Sequence, residues 1–356
     1  MLPRGITAGE YIGKPSTGAE LYMPAPGYVQ YLDVLEPNIA NDVQFVSKVV
    51  MPKPTDYDIT EVLNDIEINT RLRSNKETMN LVVPIIHWFI LFTDKKTGKK
   101  RLMNSHGAEP DRYVNRSYKA SFGVDVSFVK GSVPGNLNDD ICWNEEDLPR
   151  DRPLSKDEKT NHTTFIHGVM TMPKYEGLKS MIETHQKPSL SIRYRICLDA
   201  IRLIQGFHNS GFIRAERTGA INHISTASNG LVLRLTGLGL AKSKTYASDE
   251  EIADDLVRLG KVCSCILDWI PMFSSGPIQL RYGAPRVGRP MITAVDRLLT
   301  VSSYDDMRKV RSGEYLDDIS RQIDIFRQEQ PDAVNGPYFL EPKEDDYMNF
   351  VEDASQ

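Results

Sequence analysis

The sequence predicts an α+β fold, β-rich in its first part and α-rich in its second, and three observations carry that reading. Apolar segments punctuated by turn residues fill the first hundred positions, and apolar stripes at helical spacing dominate from about residue 175 onward. The composition, 40% hydrophobic and 26% charged over 356 residues, is that of a globular chain with room for a large core, divided between two lobes or domains.

In the first part, "YVQYLDVLE" and "DVQFVSKVV" read as strands separated by the turn "PNIAND", with "MPKPTDYD" as the next turn. A helix follows in "DITEVLNDIEINTRL", where Ile59, Val62, Leu63, Ile66 and Leu72 recur near helical spacing behind Asp58 as the N-cap. "NLVVPIIHWFILFTDKKTGKKRLM" offers a hairpin closed by the polar turn "DKKTGKK", and His87 in its apolar run reads as a satisfied core residue. From His106 to Asn161 the chain is polar, acidic and proline-bearing, which predicts a long surface insertion with little regular structure. "TTFIHGVMTMP" then resumes strand character up to Pro173, and "YEGLKSMIETH" is a short helix.

The second part is led by "SLSIRYRICLDAIRLIQGFHNSG". Ile192, Ile196, Ala200, Leu203, Ile204 and Phe207 form one stripe, with Ser189 as cap and Gly211 as stop. Arg193, Arg195 and Arg202 fall off that stripe and are expected on a solvated face or paired with local carboxylates. "SDEEIADDLVRLGKVCSCILDWI" is a second buried helix, and "PMITAVDRLLTV" and "GEYLDDISRQIDIFRQ" supply further helical segments. The expected organisation is a first lobe over residues 1–170 carrying the insertion at about 106–161, a helical lobe over 171–340, and an acidic tail over 341–356.

Several function classes are disfavoured. A net charge of -5 provides no whole-molecule field for nucleic acid or an anionic membrane surface. The longest apolar run, Leu81 to Phe92, falls short of the roughly 20 residues of a membrane span. The opening "MLPRGITAGEYIG" lacks the apolar core of a signal peptide. Cys142, Cys197, Cys263 and Cys265 are too few and scattered for a disulfide scaffold and include no C-x-x-C pair. They read as mostly buried thiols, with a bridge from Cys142 to one of the others as the alternative. Asn115 and Asn161 head N-x-[ST] triplets, which accept glycan only in a secreted protein. No G-x-S-x-G elbow, H-E-x-x-H helix or Walker loop occurs.

The element order, strands with one helix, then a long helix, short strands and more helices, is that of a protein kinase. With "MPKYEGLKSMI", "ICLDAIRLIQGFHNSGFI" and "GLVLRLTGLGLA" it resembles the rhoptry-kinase-like family secreted by apicomplexan parasites, in particular its inactive members. That resemblance implies a bilobal kinase-like fold and a secreted location in a parasitophorous vacuole or cyst wall.

It also assigns site positions, most of them degenerate. The strand lysine falls on Lys48 in "FVSKVV", which equally fits a solvated strand lysine, and its helix partner falls on Asp65, with Glu61 and Glu67 as alternative registers. Asp is one methylene shorter than Glu, so a long or absent pair is expected. The glycine-rich cover aligns with "MPAPGYVQY", where Pro24 and Pro26 remove amide donors, while Gly9, Gly13 and Gly18 read as turn formers. In the catalytic loop Arg214 replaces the His, Ala215 the Arg, Glu216 the Asp, and Ile221 the metal-binding Asn, with Asn222 one position off. Gly237 stands where the magnesium aspartate would be, and no aspartate lies between Asp199 and Asp249. Asp255 matches the buried aspartate that ties its helix to the catalytic loop. The expectation is a pseudokinase with no cofactor or metal, not an enzyme, acting on other proteins as a binding or scaffolding module. Its insertion, nucleotide cleft and acidic tail are the candidate contact surfaces. The alternative is an atypical kinase or metal-independent nucleotide binder using Lys48 and Glu216.

Overall fold

The structure, a computed structural model, describes residues 7–16, 19–26, 28–29, 44–51, 59–93, 100–104, 128–129, 164–215, 224–226, 232–271, 289–301 and 304–328. The chain divides into two compact units. The first comprises Met1–Lys174, Ser210–Glu216 and Leu235–Ala247, and the second Tyr175–Asn209, Arg217–Arg234 and Ser248–Gln356.

In chain order the described elements are β1 (Ala8–Ser16), β2 (Ala19–Pro24), β3 (Phe45–Val50), α1 (Ile59–Arg73), β4 (His87–Thr93), β5 (Lys100–Asn104), β6 (Phe128–Val129) and β7 (Thr164–Pro173). They continue with β8 (Glu176–Gly177), α2 (Leu178–Thr184), α3 (Leu190–Asn209), β9 (Phe212–Ile213), β10 (Ile224–Thr226), β11 (Leu233–Leu235) and β12 (Lys242–Ser243). The chain then becomes helical through α4 (Asp249–Asp268), α5 (Arg289–Leu299), α6 (Tyr304–Ser312) and α7 (Glu314–Gln328). This is an α+β order: among the described residues, a β-rich unit with one α-helix, then a helical unit.

The main sheet runs β1-β2-β3-β7-β4-β5-β6. Its pairs are antiparallel except β5 with β6, where Leu102 stands opposite Phe128. Tyr22, Tyr28, Phe45, Phe89, Leu91, Leu102 and Val169 form its buried core cluster. Burial of side chains of this size stabilises by about 1.5–3 kcal/mol each before entropy is subtracted.

Two expectations for this unit are corrected. Gly9 and Gly13 are not turn formers but lie inside β1. A Cβ on Gly9 would stand 3.2 Å from the Met23 carbonyl oxygen, so the neighbouring strand occupies the side-chain space. Tyr28 and Val29 do not begin a strand: the Val29 amide donates to the Ala25 carbonyl at 3.0 Å in a helical turn. Pro24 ends β2, and the Tyr28 ring is buried with its hydroxyl against His87 Nδ1 and 3.1 Å from Thr171 Oγ1. The rest of "YVQYLDVLE" and the N-cap Asp58 lie outside the described residues. The insertion, also mostly outside them, contains the strand β6.

In the second unit, α3 begins where Ser189 Oγ accepts the Ile192 amide at 3.5 Å and stops before Gly211, whose φ of +86° favours glycine. Ile196, Ala200, Leu203, Ile204 and Phe207 are buried as the stripe requires. Arg193 departs from the expectation. Its residue is 7% exposed, its Nε donates to the Pro188 carbonyl at 3.1 Å, and its guanidinium donates to the Leu267 carbonyl. Leu267 lies in the last turn of α4, where carbonyls have no intrahelical donor, and the arginine supplies one. Arg202 keeps its surface role, with Nη2 2.7 Å from both Asp324 carboxylate oxygens. Helix α4 opens with a capping box, the Glu251 amide on Ser248 Oγ at 3.2 Å and the Ser248 amide on Glu251 Oε2 at 3.1 Å.

Cys197, Cys263 and Cys265 are free thiols and buried; Cys142 lies outside the described residues. Burial pushes the Tyr194 hydroxyl from 10.0 up to about 12, and burial pushes the Cys265 thiol from 9.0 up to about 12. Both groups are neutral when protonated and hold their protons longer in the folded chain, so the unfolded chain binds fewer protons in that window. Their contribution is complete below about pH 9 and is lost as pH rises toward 12. Urea midpoints followed by circular dichroism are therefore expected to be flat for these two groups up to pH 9 and to fall above it. Replacing Tyr194 with phenylalanine is expected to make that alkaline fall shallower.

Candidate functional site: a lysine, an aspartate and a glycine turn

The site residues of the first unit are held by β3, α1 and the turn before β12. Lys48 is paired across β3 with Leu21 on one side and Met170 on the other, which fixes its backbone in the centre of the sheet. Its Nζ stands 3.1 Å from Asp65 Oδ2, and the two side chains are 14% and 6% exposed. The short aspartate therefore closes the pair that its length put in doubt.

The other oxygen of the same carboxylate is also used. Asp65 Oδ1 accepts the Leu238 amide at 3.0 Å, so one buried carboxylate joins the strand lysine to the turn that follows Gly237. Gly237 has φ +68° and ψ +50°, left-handed backbone that costs glycine little, and Leu238–Leu240 continue as one 3-10 turn. Asn64 fastens the same turn. Its Nδ2 donates to the carbonyls of Gly239 at 2.9 Å and Ala241 at 2.8 Å, with Leu238 O at 3.5 Å. Sequence reasoning passed over Asn64. The signal available was two adjacent polar residues, Asn64 and Asp65, set between the apolar Leu63 and Ile66 on a helix that packs inward.

The far end of α1 is anchored as well. Asn69, 3% exposed, donates through Nδ2 to the Val83 carbonyl at 2.7 Å and accepts the Ile85 amide at 3.0 Å. The Val83 amide donates to the Leu235 carbonyl at 2.8 Å, on the strand leading into the glycine turn. Arg71 lies over the Phe212 ring with its guanidinium carbon 5.1 Å from the centroid, and β9, which carries Phe212, pairs with β12. Helix, turn and β9–β12 pair are thus one hydrogen-bonded assembly within the first unit.

The remaining assigned positions are dispersed. Arg214, 2% exposed, follows β9 directly, and Ala215 after it has φ +51°, which an alanine adopts only under constraint. Glu216, Ile221 and Asn222 lie outside the described residues, as does the Glu61 side chain. Asp255, in the second unit, is 1% exposed and its Oδ2 stands 2.9 Å from Nε2 of His208 on α3. In "MPAPGYVQY", where the resemblance puts the glycine-rich cover, Pro24 ends β2.

The metal expected of the fold finds a poor fit. Gly237 offers no side-chain ligand, and among the described residues no group of three or more His, Cys, Asp or Glu side chains is arranged to hold a metal ion. Nor is any helix of the described residues long and apolar enough to cross a membrane.

Fold and site together define an α+β protein in which a strand lysine pairs with a helix carboxylate, and the same carboxylate holds the turn that follows a left-handed glycine. No family model matches the chain, and no curated protein matches it. Among solved structures, a match is found to one described as a divergent kinase lacking the glycine-rich loop, which regulates membrane ultrastructure of the Toxoplasma parasitophorous vacuole. That chain is 11% identical over 85% of this chain and 81% of its own, with a TM-score of 0.42.

Proposed function

We propose that this protein is a catalytically inactive, kinase-like protein of the rhoptry-kinase-like type, secreted by an apicomplexan parasite and working as a binding or scaffolding module for other proteins. The individual member we propose it resembles is the bradyzoite pseudokinase of the cyst wall, with the parasitophorous vacuole or cyst wall as location and Asn115 or Asn161 as glycan acceptors. The observation that carries the reading is Gly237. Phosphoryl transfer in this class works by positioning phosphates and magnesium, and a glycine at the position that the resemblance gives to the metal aspartate supplies no side-chain ligand.

The test is a thermal-shift titration with ATP, alone and with magnesium or manganese. A ligand at a hundred times its Kd stabilises by about 2.7 kcal/mol. The expected result is no saturable shift under any of the three conditions. A second reading is favoured by one observation, the intact 3.1 Å pair of Lys48 with Asp65: metal-independent nucleotide binding through Lys48 and Glu216. It requires a saturable shift with ATP alone that Lys48→Met abolishes.

A further inference from the structure

We propose that Cys197 and Cys263 are the two halves of a disulfide that clamps α3 to α4 when the chain folds under oxidising conditions. The inference is independent of the nucleotide question. Cys197 Sγ lies 3.5 Å from the carbonyl oxygen of Cys263, and Cys263 Sγ lies 4.0 Å from the carbonyl oxygen of Cys197. Each thiol therefore reaches the backbone of the other residue, so the two cysteines stand opposite each other across the α3–α4 interface. That is the relation a disulfide needs between its two residues. Both residues are completely buried. Cys265 stands two positions along α4 and is rotated about 200° from Cys263 around the helix axis, so it faces elsewhere.

The chemistry is thiol–disulfide exchange with a small-molecule disulfide such as oxidised glutathione. During folding, one cysteine thiolate attacks a glutathione sulfur, the glutathione S–S bond breaks, and one glutathione thiol leaves. The other cysteine thiolate then attacks the protein-bound sulfur of that mixed disulfide, closing the Cys197–Cys263 bond and releasing the second glutathione thiol. Two electrons and two protons pass from the protein to glutathione. In the folded reduced chain the same reaction stalls, because no oxidant reaches the pair and burial holds the Cys197 thiol well above its usual titration range. The redox state is thus fixed at folding and records the compartment in which folding took place. The bond would join residues 66 apart, a long loop whose closure restricts the unfolded chain.

The test uses the whole chain, unfolded and reduced, then refolded in a mixture of reduced and oxidised glutathione and mapped by mass spectrometry without reduction. The expected product is one dominant cross-linked peptide pair containing Cys197 and Cys263. It is expected to persist in Cys265→Ser and to be absent from Cys197→Ser and Cys263→Ser, and the oxidised chain is expected to melt several degrees above the reduced one. Adding oxidised glutathione to the folded reduced chain is expected to slow the same bond by at least about tenfold relative to refolding. Recovery of both thiols unoxidised after refolding, a dominant bridge to Cys142 or Cys265, or a bridged chain that melts below the reduced one each overturns the proposal. The mapping of the unsubstituted chain decides the matter even where a serine variant does not fold.

Discussion

Replacing Asp255 with alanine is expected to destabilise the chain by about 3 to 5 kcal/mol, a large fraction of the roughly 5–15 kcal/mol that typically separates a native chain from its unfolded state. The magnitude follows from what is left behind. His208 Nε2 carries a hydrogen because an ionised carboxylate can only accept, and at 2% side-chain exposure that hydrogen has no access to water once the Asp255 oxygen 2.9 Å away is gone. The two residues also join α3 to α4 near the C-terminal end of the longer apolar stripe, so the loss falls on the core of the second unit. Asp255→Asn keeps an oxygen in place and is expected to cost about 1 to 2 kcal/mol. Urea unfolding followed by circular dichroism measures both. Equal losses for the two variants would mean that the carboxylate charge, and not the acceptor oxygen, is what His208 requires.

Asp65→Ala is expected to cost about 2 to 4 kcal/mol, somewhat less because Lys48 can relax toward solvent from its 14% exposure. Two partners lose their acceptor together: the Lys48 ammonium and the Leu238 amide. Lys48→Met removes only the first and leaves Asp65 bonded to Leu238, so it is expected to be the milder change. Hydrogen exchange at the Leu238 amide separates the two. It should accelerate strongly in Asp65→Ala, by about tenfold for each 1.4 kcal/mol of local stability lost, and little in Lys48→Met. Comparable exchange in both variants would show that the turn is held by Asn64 alone.

Much of this arrangement is legible in the sequence because it rests on periodicity. The stripe from Ile196 to Phe207, the capping serine Ser189 and the β3 run around Lys48 are local signals, and the structure realises them. The failures have physical causes. The β1–β2 hairpin was hidden because Gly9, Gly13 and Pro15 look like breakers, whereas Gly9 is there to let a neighbouring strand approach. Arg193 looked like surface because charge predicts exposure, but the carbonyls ending α4 needed a donor that only tertiary packing brings near. Asn64 was missed because its partners are backbone carbonyls more than 170 positions away, which leave no trace in local spacing.

The place of β7 has a consequence for how the molecule is born. This strand lies between β3 and β4 in the middle of the sheet, yet it is the last of the seven to be synthesised, separated from β5 by residues 105–163. Until Pro173 has left the ribosome, β3 and β4 each present an unpaired rim of amides and carbonyls, and the nascent sheet exists as two halves without a seam. Assembly of this unit is therefore delayed by chain order itself, and the half-built intermediate is the species most in need of protection from its neighbours.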